Sequence, residues 1–359
     1  MKILQLLPTI SFGDAVSNDT IVMKNAIIKM GFTSKIYAEN IDDRLPKGTA
    51  LSIRKIPRLS SNDIIIYHLS TGTNLNYNIS HLNGRKIIIY HNVTPSYFFR
   101  GYSIESELRS IEGLKGARYL STVAEYALAD SEYNRQKLIR MGYKCPIDVL
   151  PILLDFDDYK KVPNKKILQK YDDKWVNIIF TGRIVPNKKQ EDIISSFFYY
   201  KKYMNPKSRL FLVGSANGME VYEKQLKLYV EQLHLEDVHF TGHVGFDDIL
   251  AYYKIADVFL CMSEHEGFCV PLVEAMLFDI PIIAYDSTAI RGTLNGSGFL
   301  LKEKNFQEIA GVINKVVSDC QLNEAILTNQ RIRLNDFKQE IILKQFENFL
   351  KRFINRYEK

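Results

Sequence analysis

The 359-residue sequence has little cysteine, and the four it holds, Cys145, Cys261, Cys269 and Cys320, lie far apart with no C-x-x-C pair. That excludes a disulfide framework and the clustered Cys/His spacing of a tetrahedral zinc site, so reduced, mostly buried thiols are expected. No uncharged apolar run approaches the ~20 residues that span a bilayer. The opening Met1-Lys2-Ile3-Leu4-Gln5-Leu6-Leu7 reads as a strand, without the parts of a signal peptide, and the expected location is the cytoplasm. There is no G-x-G-x-x-G, which removes support for a nicotinamide or flavin cofactor. Internal repeats and low-complexity segments are absent as well.

The composition, 46% hydrophobic and 25% charged, is that of a globular protein, and the length exceeds what one core usually supports. Two domains are the expectation. Positive charge is unevenly spread: residues 1–150 hold 19 Lys and Arg against 13 Asp and Glu, and the remainder balances at 28 of each. Such a first half suits an anionic membrane surface, a phosphorylated acceptor or nucleic acid, with plain solubility as the alternative.

Residues 264–276 read Glu-His-Glu-Gly-Phe-Cys-Val-Pro-Leu-Val-Glu-Ala-Met. They follow an apolar run, Ala256–Met262, that reads as a buried strand, and they lead into an apolar-periodic helix. Pro271 suits the first helical position, and Gly267 allows close approach of backbone to a ligand. Glu266 then lies in the turn and Glu274 in the first helical turn, beside N–H groups with no intrahelical partner. The place suits an anion or a polyhydroxylated ligand. On the residues alone, Glu274 equally complements the helix dipole and Glu266 is equally a solvated acid.

Upstream, the strand Lys174–Phe180 is followed by Thr181-Gly182-Arg183-Ile184-Val185-Pro186-Asn187-Lys188-Lys189 and a helix from Gln190 to Met204. Cations before a helix N-terminus oppose the macrodipole, an arrangement that makes sense if an anion neutralises both. Arg183 can grip phosphate as a fork and Lys188 as a point charge. In the first half, strands are expected at 34–38, 63–67, 86–90 and 126–129. Two of them end at His68 and His91, where an open parallel sheet meets its ligands. Gly13-Asp14 falls in the first strand-to-helix loop, Asp14 either facing a ligand or capping the helix. Tyr97-Phe98-Phe99-Arg100 suits either a membrane interface or packing between domains. Asp155-Phe156-Asp157 reads as loop acids. Further strands are expected at 209–215, 239–244 and 279–285, a polar loop at 286–298, and an amphipathic last helix with Phe346, Phe349, Leu350, Phe353 and Ile354 on one stripe.

The two glutamates with seven residues between them, with Gly-Phe after the first and Ala-Met after the second, resemble the E-x7-E signature of the retaining glycosyltransferases of family 4. The resemblance covers nearly the whole chain, best over 175–300. It implies an α/β GT-B fold: two Rossmann-like domains facing a central cleft, with residues 1–156 binding acceptor and 157–335 binding the nucleotide-sugar donor. A C-terminal helix, 336–359, would cross back to the first domain. It also implies roles. Glu266, with the amides of Gly267, Phe268 and Cys269 and with Val270 beside them, holds the donor sugar, and Glu274 the ribose. Gly182, Arg183 and Lys188 hold the diphosphate. Gly13, Gly214, Gly242, His243 and Ser263 complete the donor site, with Gly242-His243 beside the base. His91, in His91-Asn92-Val93-Thr94-Pro95, matches the family's active-site histidine. Two departures stand out: Gly13-Asp14 replaces a Gly-Gly pair, and Arg291-Gly292 replaces a Pro-Glu pair.

What the resemblance implies is a retaining transfer of a sugar from a UDP- or GDP-sugar to a hydroxyl of a glycan or lipid-linked acceptor, in bacterial surface polysaccharide or lipopolysaccharide synthesis. No cofactor, metal or nucleic-acid partner is expected, and peripheral contact with the inner membrane is. Arg183 and Lys188 would stabilise the leaving diphosphate while Glu266 and His91 orient the sugar. Glu266 as a covalent nucleophile stays open. So do a GT-B epimerase and a catalytically silent partner that binds membrane or a sister enzyme.

Overall fold

Three consecutive isoleucines at 64–66, and three more at 87–89, are what parallel strands covered on both faces require. All six are at most 3% exposed. At about 1.5–3 kcal/mol each they contribute on the order of 10 kcal/mol before the entropy of ordering them. The computed structural model describes residues 1–356 and divides the chain into two units. The first comprises Met1–Tyr97, Glu105–Leu154 and the segment from Phe337; the second comprises Phe98–Ile104 and Asp155–Asp336. Of the closing segment 336–359, residues 357–359 lie outside those described.

The first unit runs β1 (Lys2–Ile10), α1 (Ala15–Lys29), β2 (Thr33–Ile41), β3 (Leu51–Ser52), β4 (Ile64–Leu69), α2 (Leu75–Asn78), β5 (Arg85–Tyr90), α3 (Ile104–Leu120), β6 (Tyr126–Ala129), α4 (Glu132–Arg140) and β7 (Ile147–Val149). Its seven strands are parallel in the order β3-β2-β1-β4-β5-β6-β7. The order reverses between β1 and β4, the place where a doubly wound sheet opens a crevice at its carboxyl ends.

The second unit runs α5 (Lys165–Lys170), β8 (Val176–Thr181), α6 (Gln190–Tyr203), β9 (Ser208–Val213), α7 (Glu220–Gln232), β10 (Val238–Gly242), α8 (Phe246–Lys254), β11 (Val258–Cys261), α9 (Val270–Leu277), β12 (Ile282–Tyr285), α10 (Ile290–Leu294), β13 (Phe299–Leu301), α11 (Phe306–Ser318) and α12 (Cys320–Leu334). Its parallel sheet has the order β10-β9-β8-β11-β12-β13, reversing between β8 and β11. No helix among the described residues is long and apolar enough to cross a membrane.

The chain then returns to the first unit as α13 (Gln339–Asn355). Ile342, Phe346, Leu350, Phe353 and Ile354 form its buried stripe, and Phe349 is half-buried under the Arg352 guanidinium. Arg85 lies 4.0 Å over the Phe353 ring and bonds the Phe353 carbonyl, while Arg352 reaches Asp148 at 2.9 Å.

Candidate functional site

The switch point of the second unit gathers most of the residues singled out in the sequence. Gly182 and Arg183 leave the end of β8, Lys188 lies just before α6, and Ser263 and Glu266 leave the end of β11, which pairs with β8. One side chain joins the two loops. Asn187 Nδ2 donates to the His265 carbonyl at 2.9 Å, and the Asn187 backbone carbonyl accepts from Glu264 N at 2.8 Å.

Between these loops Lys188 Nζ meets Glu266 Oε1 at 2.6 Å, with the two side chains only 16% and 8% exposed. Burial is the largest single influence and opposes the charge on Lys188, but Glu266, with Cys269 and Cys261 adding to it, holds the ammonium above its ordinary value. Glu266 is fixed at its backbone too, its N–H donating to Thr288 Oγ1 at 2.9 Å. Lys189 meets Glu191 at 3.3 Å and Glu264 at 3.8 Å. Arg183 bonds the Asn217 carbonyl at 3.2 Å. The cations that the sequence suggested would await an anion thus already have carboxylates of the chain against two of them.

The turn after Glu266 is tight. Gly267 is partly exposed, Phe268 is buried with its carbonyl accepting from Thr293 at 2.5 Å, and Cys269 takes φ +72° at the start of α9. Val270 opens that helix and Pro271 follows it, one residue earlier than the sequence suggests. Beneath the turn the Cys261 and Cys269 thiols lie together. The Cys261 bond, and then burial, push Cys269 well above its ordinary value. Ser263 is fully buried, its carbonyl accepting from Ser287 at 2.6 Å.

Glu274, on α9, is held by two tyrosines that sequence reasoning missed. Tyr159 donates to Oε1 at 2.7 Å and Tyr253 to Oε2 at 2.6 Å, and Tyr253 also bonds Thr181 at the end of β8. Burial raises the carboxyl above its ordinary range while both phenols oppose the rise. Each oxygen keeps a lone pair for a further donor, such as a sugar hydroxyl. Nothing local in the sequence marks Tyr159 or Tyr253, which lie 115 and 21 residues from Glu274.

Gly214 follows β9 directly with φ +151°, and a Cβ there would stand 2.0 Å from the Gly182 carbonyl oxygen, so only glycine lets the two loops approach. Gly242 ends β10 and bridges to Gly214, while His243 beyond it is exposed. Phe98 packs on His265 and Tyr102 on Tyr222, with centroids 6.1 and 5.3 Å apart. In the Arg291-Gly292 pair, Arg291 folds back onto Asp286. Asp155 and Asp157 form a loop turn, Asp157 N donating to Asp155 at 3.1 Å.

The remaining expected residues lie in the first unit. Gly13 precedes Asp14, whose carboxylate accepts from Ser17 N at 2.9 Å and so caps α1. The His91 side chain is 1% exposed, and both ring nitrogens are engaged: Nδ1 with Asp130 at 3.1 Å and Nε2 with His68 Nδ1 at 2.9 Å. His68, expected at a strand end, lies within β4 and is fully buried.

Residues 161–333 match the family described as "Glycosyl transferases group 1". The chain is 30% identical over 213 residues to the capsular polysaccharide biosynthesis glycosyltransferase CapM of Staphylococcus aureus, covering 57% of this chain and 54% of that protein. It is 22% identical to the O-antigen chain mannosyltransferase B of Escherichia coli, over 79% of this chain and 72% of that one. The chain spans about half the length of the first such relatives. Among solved structures, sucrose-phosphate synthase from Thermosynechococcus elongatus superposes with a TM-score of 0.75 at 15% identity, covering 99% of this chain and 100% of that one. The Anabaena protein HepE in complex with UDP-glucose does so at 0.74 and 21%, covering 98% and 100%. The fold is GT-B.

Proposed function

We propose that the chain is a retaining glycosyltransferase that moves a sugar from a UDP- or GDP-sugar to a hydroxyl of a glycan or lipid-linked acceptor in surface polysaccharide synthesis, with no metal ion at the donor site. The observation that carries this reading is the convergence of Arg183, Lys188, Glu266 and Glu274 on the switch point of the second unit. The relatives named for capsular and O-antigen synthesis and the neighbour holding UDP-glucose support the substrate class.

In this reading Arg183 and Lys188 stabilise the charge that grows on the leaving diphosphate, the largest electrostatic contribution. A diphosphate arriving at Lys188 competes with Glu266, which turns its carboxylate toward the sugar hydroxyls. Glu274, steadied by Tyr159 and Tyr253, accepts from the ribose. Attack comes on the face the phosphate leaves, and a phosphate oxygen takes the acceptor proton. His91, held by Asp130 at Nδ1 and by His68 at Nε2, orients the sugar together with Glu266 and the amides of 267–269 in this reading. Peripheral membrane contact belongs to the same reading, through the lipid-linked acceptor.

The test is a thermal-shift and hydrolysis screen of UDP-, GDP-, ADP- and dTDP-sugars, with and without EDTA, on wild type and Glu274→Ala. One nucleotide should raise the melting temperature in both buffers, and the variant should lose that rise. No response to any nucleotide, or one that vanishes with EDTA, would sink this reading.

A further inference from the structure

The connection that follows β12 fastens the turn around Glu266 through three hydroxyls. β11 and β12 are parallel neighbours, Cys261 opposite Ala284, so the loops leaving their carboxyl ends run side by side. Ser287 Oγ donates to the Ser263 carbonyl at 2.6 Å, Thr288 Oγ1 accepts from the Glu266 N–H at 2.9 Å, and Thr293 Oγ1, on α10, donates to the Phe268 carbonyl at 2.5 Å. Ser263, Glu266 and Phe268 are all buried, where main-chain polar groups need partners. Thr288 differs from the other two hydroxyl residues in its backbone. Its φ is +41°, and the other seven non-glycine residues described at positive φ are all unbranched at Cβ. A second heavy atom on Cβ makes the left-handed region costly, and glycine would occupy it freely. Strain of this kind persists where the surrounding structure enforces it, and it collects at ligand sites. What threonine supplies at 288, and glycine would not, is the acceptor for the Glu266 N–H.

Glu266 has to move if it acts as proposed above. Its Oε1 lies 2.6 Å from Lys188 Nζ, and a diphosphate arriving at Lys188 releases the carboxylate to turn toward the sugar. A side chain that exchanges partners reaches a reproducible second position only if its main chain stays in place. The bond from the Glu266 N–H to Thr288 meets that need, since it holds the backbone and leaves the carboxylate free to swing.

We propose that Thr288 is a positioning residue for the donor sugar, holding the main chain of Glu266 while its carboxylate exchanges Lys188 for sugar hydroxyls. This role rests on the transferase reading and divides the donor in two. The sugar half depends on Thr288 through Glu266, whereas the ribose half depends on Glu274, which Tyr159 and Tyr253 hold from elsewhere. The hydroxyl oxygen is the part that acts. Valine keeps the shape and the strain and loses the acceptor; serine keeps the acceptor on an unbranched Cβ; glycine loses both acceptor and strain. No local pattern marks Thr288, which lies 22 residues from Glu266.

The experiment uses the full chain and three variants, Thr288→Ser, Thr288→Val and Thr288→Gly, each melted in a calorimeter. Two probe pairs are run, UDP with UDP-glucose and GDP with GDP-mannose, and the pair that wild type binds is followed by titration calorimetry and by donor hydrolysis. Thr288→Val should lose about 3–10-fold in affinity for the nucleotide sugar, keep its affinity for the bare nucleotide, and hydrolyse the donor with a kcat about 10–100-fold lower. Thr288→Gly should show the same losses yet melt at or above Thr288→Val, because the strain is gone. Thr288→Ser should recover both affinity and kcat. Four results would overturn the proposal and leave the transferase reading standing: Thr288→Val that binds and hydrolyses like wild type, Thr288→Val that loses nucleotide and nucleotide sugar alike, Thr288→Ser no better than Thr288→Val, or Thr288→Gly melting below Thr288→Val. Wild type that binds neither nucleotide would end that reading and this role with it.

Discussion

Replacing Lys188 by methionine removes the cation from a carboxylate that cannot leave. Glu266 is 8% exposed on its side chain, and its backbone is tied to Thr288. Breaking one side of a buried ion pair costs about 3–5 kcal/mol, because the remaining charge is left without compensation. The 16% exposure of Lys188 shows that some water reaches the pair, which favours the lower end, about 3 kcal/mol. For a unit of this size each kcal/mol moves the midpoint by about 2–4 °C, so the transition of the second unit should fall by about 6–12 °C. Adding Glu266→Gln removes the stranded charge, and the double variant should recover at least half of the loss although two residues now differ. Differential scanning calorimetry of the four proteins completes the cycle. If the double variant is no more stable than Lys188→Met, or the single variant melts with the wild type, the pair is not the coupled, desolvated unit described here.

Two further outcomes follow from particular atoms. Gly214→Ala forces a Cβ to within 2.0 Å of the Gly182 carbonyl oxygen at φ +151°, and it should lower stability by more than about 2 kcal/mol in denaturant titration. Gly292→Ala, a helical position with nothing within 4 Å, should be neutral or stabilising by about 0.5–1 kcal/mol, and equal losses at both would refute the close-approach argument. Burial, with Arg140 nearby, lowers Lys137 to about 8. Over pH 8 to 10 the unfolded chain therefore binds more protons at this site, and stability rises with pH. Because Lys137 is partly exposed, the wild type should gain only about 2 kcal/mol relative to Lys137→Met across that window, and parallel pH curves would disprove it.

The strands that sequence made legible are those whose side chains declare burial on both faces, such as Ile64–Ile66 and Ile87–Ile89. The pair Leu51–Ser52 and the short Ile147–Val149 and Phe299–Leu301 escaped notice, because two or three residues become an edge strand through the neighbour they pair with. The candidate donor site was largely legible, since Glu266 and Glu274 lie within one turn and helix, and Arg183 and Lys188 within one loop. What holds those residues was not. Tyr159, Tyr253 and Thr288 reach them from other elements, and no local pattern records a partner brought in by the sheet. The histidines were visible as strand-end residues, but that they face each other and Asp19 depends on the pairing of β4 with β5 and on α1 lying beside them.

The helix α13 has a consequence for how the chain is made. A ribosome delivers β1 to β7 first, then the whole second unit, and only afterwards the stripe of Ile342, Phe346, Leu350 and Phe353 that covers the first unit. The first unit therefore waits, one apolar surface uncovered, while its successor is synthesised and folds. A nascent chain stalled before Phe337 should expose that surface to chaperones.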